Sequence, residues 1–266
     1  MSRKALFFDI DGTLLSEITR QVPESTKEAL RIARSLGHLV FVNTGRSYGS
    51  LGPIKDMLEV DGWLCGCGTY IEAQGRELYH RAMPQEQVKK ICKAMEAADV
   101  DGILEGRDGC YLGSAESRFP EGRRLRQSMK AYIRSLDWNQ ECGTVEKFCV
   151  LADEKSDKAG FFRSLGLDIQ VIDRGDGFYE CVPEGHSKAS AIDIILKEYG
   201  LKLTDAYVFG DSTNDLAMFE HVPNAVVMGR IMGHHSRELE PYASFFTKTV
   251  EQDGIWYAME KLGLLE

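Results

Sequence analysis

Leu6-Phe7-Phe8-Asp9-Ile10-Asp11-Gly12-Thr13-Leu14-Leu15 is an apolar run that stops abruptly at two carboxylates. Ala5 to Phe8 is apolar on both faces, as a central strand of a parallel sheet would be, and Gly12-Thr13 gives the turn by which the chain leaves the sheet. Asp9 and Asp11 therefore sit at the carboxyl end of a strand, the edge where ligands bind in open α/β sheets. Two residues apart in an extended chain, their side chains leave one face, where like charges repel unless a cation lies between them. A hard divalent ion such as Mg²⁺ suits an all-oxygen site of this kind. The four letters alone suit a solvated turn after an edge strand equally well, so the decision falls to the rest of the chain.

Length and composition narrow the classes. A chain of 266 residues holds one large domain or two modest ones, each with a real core. The net charge is −9 with no lysine or arginine block, which argues against a nucleic-acid partner. No apolar run reaches the length of a membrane span, and Met1-Ser2-Arg3-Lys4 runs straight into a strand without a cleavable signal, so a cytoplasmic protein is expected. Seven cysteines in apolar contexts read as small core residues in a reducing compartment. Cys65-Gly66-Cys67 lacks a second Cys/His pair at metal-site spacing, and His234-His235 reads as a surface pair in a loop.

Along the chain, Ser25 and Glu28 have capping-box spacing ahead of a helix that Gly37 ends. Leu39 to Val42 is a second strand, stopping at Asn43-Thr44-Gly45-Arg46, where a new helical segment is expected. Thr44 offers a hydroxyl and a backbone N–H suited either to a phosphate oxygen or to an ordinary helix cap. Trp63 to Cys65 is a third strand, followed by a hairpin around Gln74-Gly75 and an amphipathic helix from Pro84 through Met95. The texture then changes to short strands at 102–105, 110–112, 147–151, 169–172 and 178–182, alternating with helices near 123–134 and 158–165. Residues 84–183 thus read as an inserted α+β domain bounded by prolines, with 1–83 and 184–266 forming the surrounding core.

Gly185-His186-Ser187-Lys188 opens the next helix and puts a lysine in its first turn, where the macrodipole disfavours a cation. The placement is either a tolerated solvated lysine or a cation aimed at an anion beyond the helix start. Ala206 to Phe209 is another core strand, running into Gly210-Asp211-Ser212-Thr213-Asn214-Asp215, which repeats the acidic strand tip of the opening. Two last strands, at 225–228 and 244–247, and a closing helix over 253–262 complete the pattern.

Taken in order, Asp9-Ile10-Asp11-Gly12-Thr13, Thr44-Gly45-Arg46, Lys188 and Gly210-Asp211-Ser212-Thr213-Asn214-Asp215 resemble the haloacid dehalogenase (HAD) superfamily, and the insertion resembles the Cof-type phosphatases with a class IIB cap. The resemblance implies a Rossmann-like, doubly wound parallel core with an inserted α+β cap that selects the substrate. It implies Asp9 as a nucleophile forming an aspartyl-phosphate and Asp11 as acid and base. Mg²⁺ would be held by Asp9, the Asp11 carbonyl and Asp211, with Asp215 in support. Thr44, Gly45, Lys188 and Asn214 would hold the phosphate, and Arg46 has no assigned role. The expected substrate is a small phosphorylated metabolite, a sugar phosphate foremost, turned over by a monomer or homodimer.

Two departures from the Cof-type pattern fall at Cys67-Gly68, where Asn-Gly is usual, and at Gly229-Arg230-Ile231, where Gly-Asn-Ala is usual. A phosphomutase shares the Asp pair and is the near alternative. Receiver-type phospho-acceptor domains are shorter and carry their aspartate on a middle strand. A non-catalytic binding protein would not need the full set of catalytic side chains, and a dinucleotide dehydrogenase would carry a Gly-rich fingerprint after the first strand.

Overall fold

The structure, a computed structural model, describes residues 2–113, 116–128, 133–136, 143–230 and 236–266. In chain order the elements are β1 (Ala5–Phe8), α1 (Glu24–Ser35), β2 (Leu39–Asn43), α2 (Ile54–Met57), β3 (Gly62–Cys65), β4 (Tyr70–Ala73) and β5 (Arg76–His80). Next come α3 (Gln85–Ala97), β6 (Asp101–Gly106), β7 (Gly109–Gly113), α4 (Pro120–Ser128), β8 (Ile133–Leu136), β9 (Lys147–Leu151), α5 (Lys158–Ser164), β10 (Ile169–Asp173) and β11 (Phe178–Pro183). The chain ends with α6 (Lys188–Tyr199), β12 (Ala206–Gly210), α7 (Leu216–His221), β13 (Asn224–Gly229), β14 (Phe245–Thr249) and α8 (Gly254–Lys261).

Two compact units form: Met1–Gly45, Pro53–Leu78 and Ser187–Glu266 make the first, and Arg46–Gly52 with Tyr79–His186 make the second. The first is built on a sheet of order β14-β13-β12-β1-β2-β3-β4-β5, parallel from β14 to β3 and antiparallel between β3 and β4. From β1 the winding runs outward through β2 and β3, and from β12 it runs the opposite way through β13 and β14. The reversal between β1 and β12 is the topological switch point of a doubly wound sheet. Every residue of β1 is buried. Phe8 stacks on Phe209 at 4.4 Å and Phe7 on Phe41 at 5.4 Å between ring centroids, which locks β1 against both neighbours. This explains the absence of polar alternation in the opening strand.

The second unit carries a sheet of order β10-β11-β9-β6-β7-β8, antiparallel except for the β7–β8 pair. Val88, Ile91, Cys92 and Met95 of α3 and Phe161 of α5 pack with Leu104, Tyr111, Phe148, Val150 and Cys181 into one apolar cluster. Tyr111 is thus a core residue, and Glu105 and Glu180 are buried as well, each paired with the buried Lys147. The six described cysteines are buried, as small core residues should be.

Several local expectations are corrected. The helix read over 123–134 does not extend through its expected end: α4 is described over Pro120–Ser128, and Ile133–Leu136 pairs as a strand with β7. Ser25 and Glu28 do not form a capping box: α1 starts directly after Pro23, Ser25 Oγ donates to Asp253 Oδ1 at 2.5 Å, and Glu28 accepts from Arg31. Arg46 is followed by a single 3₁₀ turn, Tyr48–Ser50, within a segment that joins the second unit, rather than by a regular helix. His234 and His235 lie outside the described residues. Among those described, no helix is long and apolar enough to cross a membrane.

Glu146 gives this unit a pH signature. Its side chain is fully buried, Oε1 lies 2.9 Å from His80 Nε2 and accepts from the Arg107 N–H, and Oε2 has no hydrogen-bond partner. Burial pushes its carboxyl up to about 8, the Arg107 N–H pulling the other way. The unfolded carboxyl ionises near its ordinary value, so ionisation favours the unfolded chain as pH rises through the interval between the two, and the native state loses stability there. Glu146→Gln removes that loss. Its melting temperature relative to the native chain is expected to rise between pH 5 and pH 8, by the equivalent of on the order of 2 kcal/mol.

Candidate active site

The switch point fixes where the polar tips meet. Phe8 lies opposite Phe209 in the β1–β12 register, and the Asp9 N–H donates to Phe209 O at 3.0 Å, one rung beyond the strand. Asp9 is thereby carried to the level of Gly210 and Asp211. After Asp9 the chain leaves the extended path, with the Thr13, Leu14 and Leu15 N–H groups all donating to Ile10 O and a one-residue bridge between Asp11 and Leu15.

Asp9, Asp211 and Asp215 are buried, and one carboxylate oxygen from each lies within 4.8 Å of the others. Lys188, 1% exposed, places Nζ 2.7 Å from Asp9 Oδ1 and 2.6 Å from Asp215 Oδ1. The Lys188 ammonium therefore lies between Asp9 and Asp215. The remaining oxygen of Asp215 accepts from the N–H groups of Asp211, at 2.9 Å, and Ser212, at 3.1 Å. Both its oxygens are thus committed, to the lysine and to the loop.

Lys188 is the first residue of α6, whose cap is Ser187: its hydroxyl accepts from the Ser190 N–H at 3.2 Å while Ser190 Oγ accepts from the Ser187 N–H at 3.0 Å. Gly68 presses on this start, since a Cβ there would lie 2.6 Å from Ser187 O and its φ is +88°. From the other side, Asn43 Nδ2 donates to Lys188 O at 3.0 Å, tying the helix to the tip of β2. Sequence reasoning passed over Asn43, although a polar residue ending an apolar strand was the available signal.

The charges press on one another. Burial pushes the Asp9 carboxyl up to about 7, Lys188 opposing the rise and Asp215 adding to it. Burial, then Asp215 and Asp9, push Asp211 up to about 8. Burial acts to lower Lys188, but Asp215 and Asp9 outweigh it and hold the ammonium above its ordinary value. Asp211 Oδ1 is buried with no hydrogen-bond partner. This group of carboxylates is short of positive charge, and its oxygens match what a hard divalent cation takes.

The other predicted residues fall at the same sheet edge but outside the carboxylate cluster. Asp11 is half-buried in the loop after Asp9. Thr44 is buried just beyond β2; its N–H, expected to be available to a phosphate, donates instead to Leu64 O at 2.9 Å, because the β2–β3 ladder runs on by one residue. Gly45 follows it, half-buried. Asn214 is half-buried, its Oδ1 accepting from Ser212 Oγ at 2.5 Å. Arg230, which had no assigned role, lies at the end of β13 with Nε 3.1 Å from Asp211 Oδ2. Cys65 and Cys67 are buried and take no part in a metal-binding group among the described residues.

Residues 6–259 match the family model of the haloacid dehalogenase-like hydrolases, and the chain belongs to that family. YkrA of Bacillus subtilis (strain 168) is 29% identical over 283 residues, spanning 100% of both chains. The 5-amino-6-(5-phospho-D-ribitylamino)uracil phosphatase YitU of the same organism is 25% identical, over 93% of each chain. Among solved structures, the HAD subclass IIB sugar phosphatase BT4131 superposes with a TM-score of 0.80 at 27% identity, covering 98% of this chain and 99% of that one. The chain is accordingly a phosphoric monoester hydrolase of the HAD type.

Gly12 tests the geometry. Its φ is +78°, and a Cβ would lie 2.5 Å from Asp211 Oδ2. Gly12→Ala is expected to displace Asp211 and lower phosphatase turnover by about 10²-fold, with an unchanged far-ultraviolet circular dichroism spectrum.

Proposed function

We propose that this chain hydrolyses small phosphorylated metabolites, sugar phosphates foremost, in a Mg²⁺-dependent reaction through an aspartyl-phosphate on Asp9. The observation that carries the reading is the buried lysine bridging Asp9 and Asp215 beside Asp211, whose Oδ1 has no hydrogen-bond partner. A metabolite carrying its phosphate on a ribityl chain is named for one relative and sugar phosphates for another, which supports the substrate class. Buried cysteines in apolar surroundings accord with a reducing cytoplasm.

Asp9 attacks phosphorus with one carboxylate oxygen, and the bond from phosphorus to the ester oxygen breaks as Asp11 delivers its proton to the departing alkoxide. Asp11, now a carboxylate, takes a proton from water as that water attacks the phosphorus; the bond to Asp9 breaks and inorganic phosphate leaves. Lys188 holds Asp9 in orientation and offsets its charge against the incoming phosphate, which explains a cation in the first turn of a helix. Asp215 fixes the lysine. The Thr44 hydroxyl, Gly45 and Asn214 are assigned to the phosphate oxygens. Asp9, Asp211 and the Asp11 carbonyl would hold the Mg²⁺, which supplies positive charge against the phosphoryl oxygens when bound. Residues 84–183 form the cap in this reading and select the leaving group.

A panel of phosphorylated metabolites, assayed with Mg²⁺ and with chelator, tests the proposal. Turnover is expected only with the metal. Asp9→Asn is expected to be silent on every substrate, while Asp11→Asn loses about 10²-fold or more and traps phosphoenzyme detectable by mass spectrometry. Equal turnover by the native chain and Asp9→Asn would reject the mechanism.

A further inference from the structure

Asp211 has a cationic neighbour, Arg230, that the proposed reaction does not use. Arg230 Nε stands 3.1 Å from Asp211 Oδ2, yet Nε makes no hydrogen bond, so this is a charge contact without an aimed proton. The guanidinium is anchored elsewhere: Nη2 donates to both oxygens of Glu17, at 2.8 Å each. A cavity of about 200 Å³, lined by Gly12, Glu17, Ile18, Arg230 and Glu251 among others, adjoins the pair. The arginine side chain thus has room to turn from Asp211 while keeping Glu17.

We propose that Arg230 is a tethered counter-ion of the metal site, compensating Asp211 when no divalent cation is bound and competing with that cation for the same carboxylate. The inference rests on the reading of Asp211 as a metal ligand. Two features set its sign. Arg230 carries a like charge to the metal, so it opposes metal binding; Glu17 draws the guanidinium away and moderates that opposition. The contact with Asp211 is the weaker of Arg230's two attachments because it lacks hydrogen-bond geometry, and it is the one that yields. Arg230 is a positioning residue in this account: it acts through Asp211 and touches no reacting atom.

The test is calorimetric titration of Mg²⁺ into the metal-free chain, with melting temperatures recorded with and without the ion. Arg230→Gln is expected to bind Mg²⁺ about tenfold more tightly, to melt lower than the native chain without metal, and to gain more on adding it. Glu17→Gln is expected to shift affinity the other way, by several-fold, because the released guanidinium leans on Asp211 alone. Arg230→Lys keeps the charge and serves if the glutamine variant does not fold; it is expected to stay near the native affinity. Native or weaker affinity in Arg230→Gln, or an unchanged affinity in Glu17→Gln, overturns the inference. Asp211→Asn separates the two levels: if it binds Mg²⁺ as the native chain does, the assignment of the metal site itself fails.

Discussion

The ammonium of Lys188, buried between Asp9 and Asp215, is the constraint on which the site depends. Burying charge is expensive unless it is paired, and removing one member of such a group leaves the others exposed to the full desolvation cost, typically about 3–5 kcal/mol. The site meets that cost with backbone: two N–H groups on Asp215, a capped helix start holding Lys188, and Asn43 on the lysine's own carbonyl. Each polar tip is held by a different strand or helix. In the proposed mechanism the Asp9 carboxylate therefore comes pre-oriented, with little left to arrange when a phosphate ester enters.

The sheet makes this possible. Parallel strands put all their carboxyl ends on one edge, and the reversal of winding between β1 and β12 opens a crevice there. The stacked pairs Phe8–Phe209 and Phe7–Phe41 fix the strand register from below. A slip of one residue in the β1–β12 register would turn Asp9 away from Asp211, so core packing and chemistry are specified by the same contacts.

Much of this was readable in the chain itself. Apolar runs ending in polar residues marked β1, β2 and β12, and the awkward cation at the start of α6 was the clue to Lys188. What escaped reading depended on partners remote in sequence. Ser25 has the spacing of a cap, but its hydroxyl is claimed by Asp253. Thr44 seemed to offer an N–H that the β2–β3 ladder consumes. Arg230 showed only as an odd residue after a strand, because Glu17 and Asp211, which give it meaning, come from two other loops. The charge-rich 123–134 stretch has helical composition, yet an unpaired strand edge claims its end.

The boundary between the compact units has a consequence for engineering. The polypeptide passes between them four times, since Arg46–Gly52 joins Tyr79–His186 in the second unit. That short loop lies backbone against backbone on the β6–β7 hairpin: a methyl group on Gly49 would come 2.3 Å from the Gly109 nitrogen. Splicing Leu78 directly to Ser187 would therefore not excise a clean cassette. The shortened protein would keep a seven-residue remnant whose packing surface had been deleted, immediately downstream of Thr44 and Gly45.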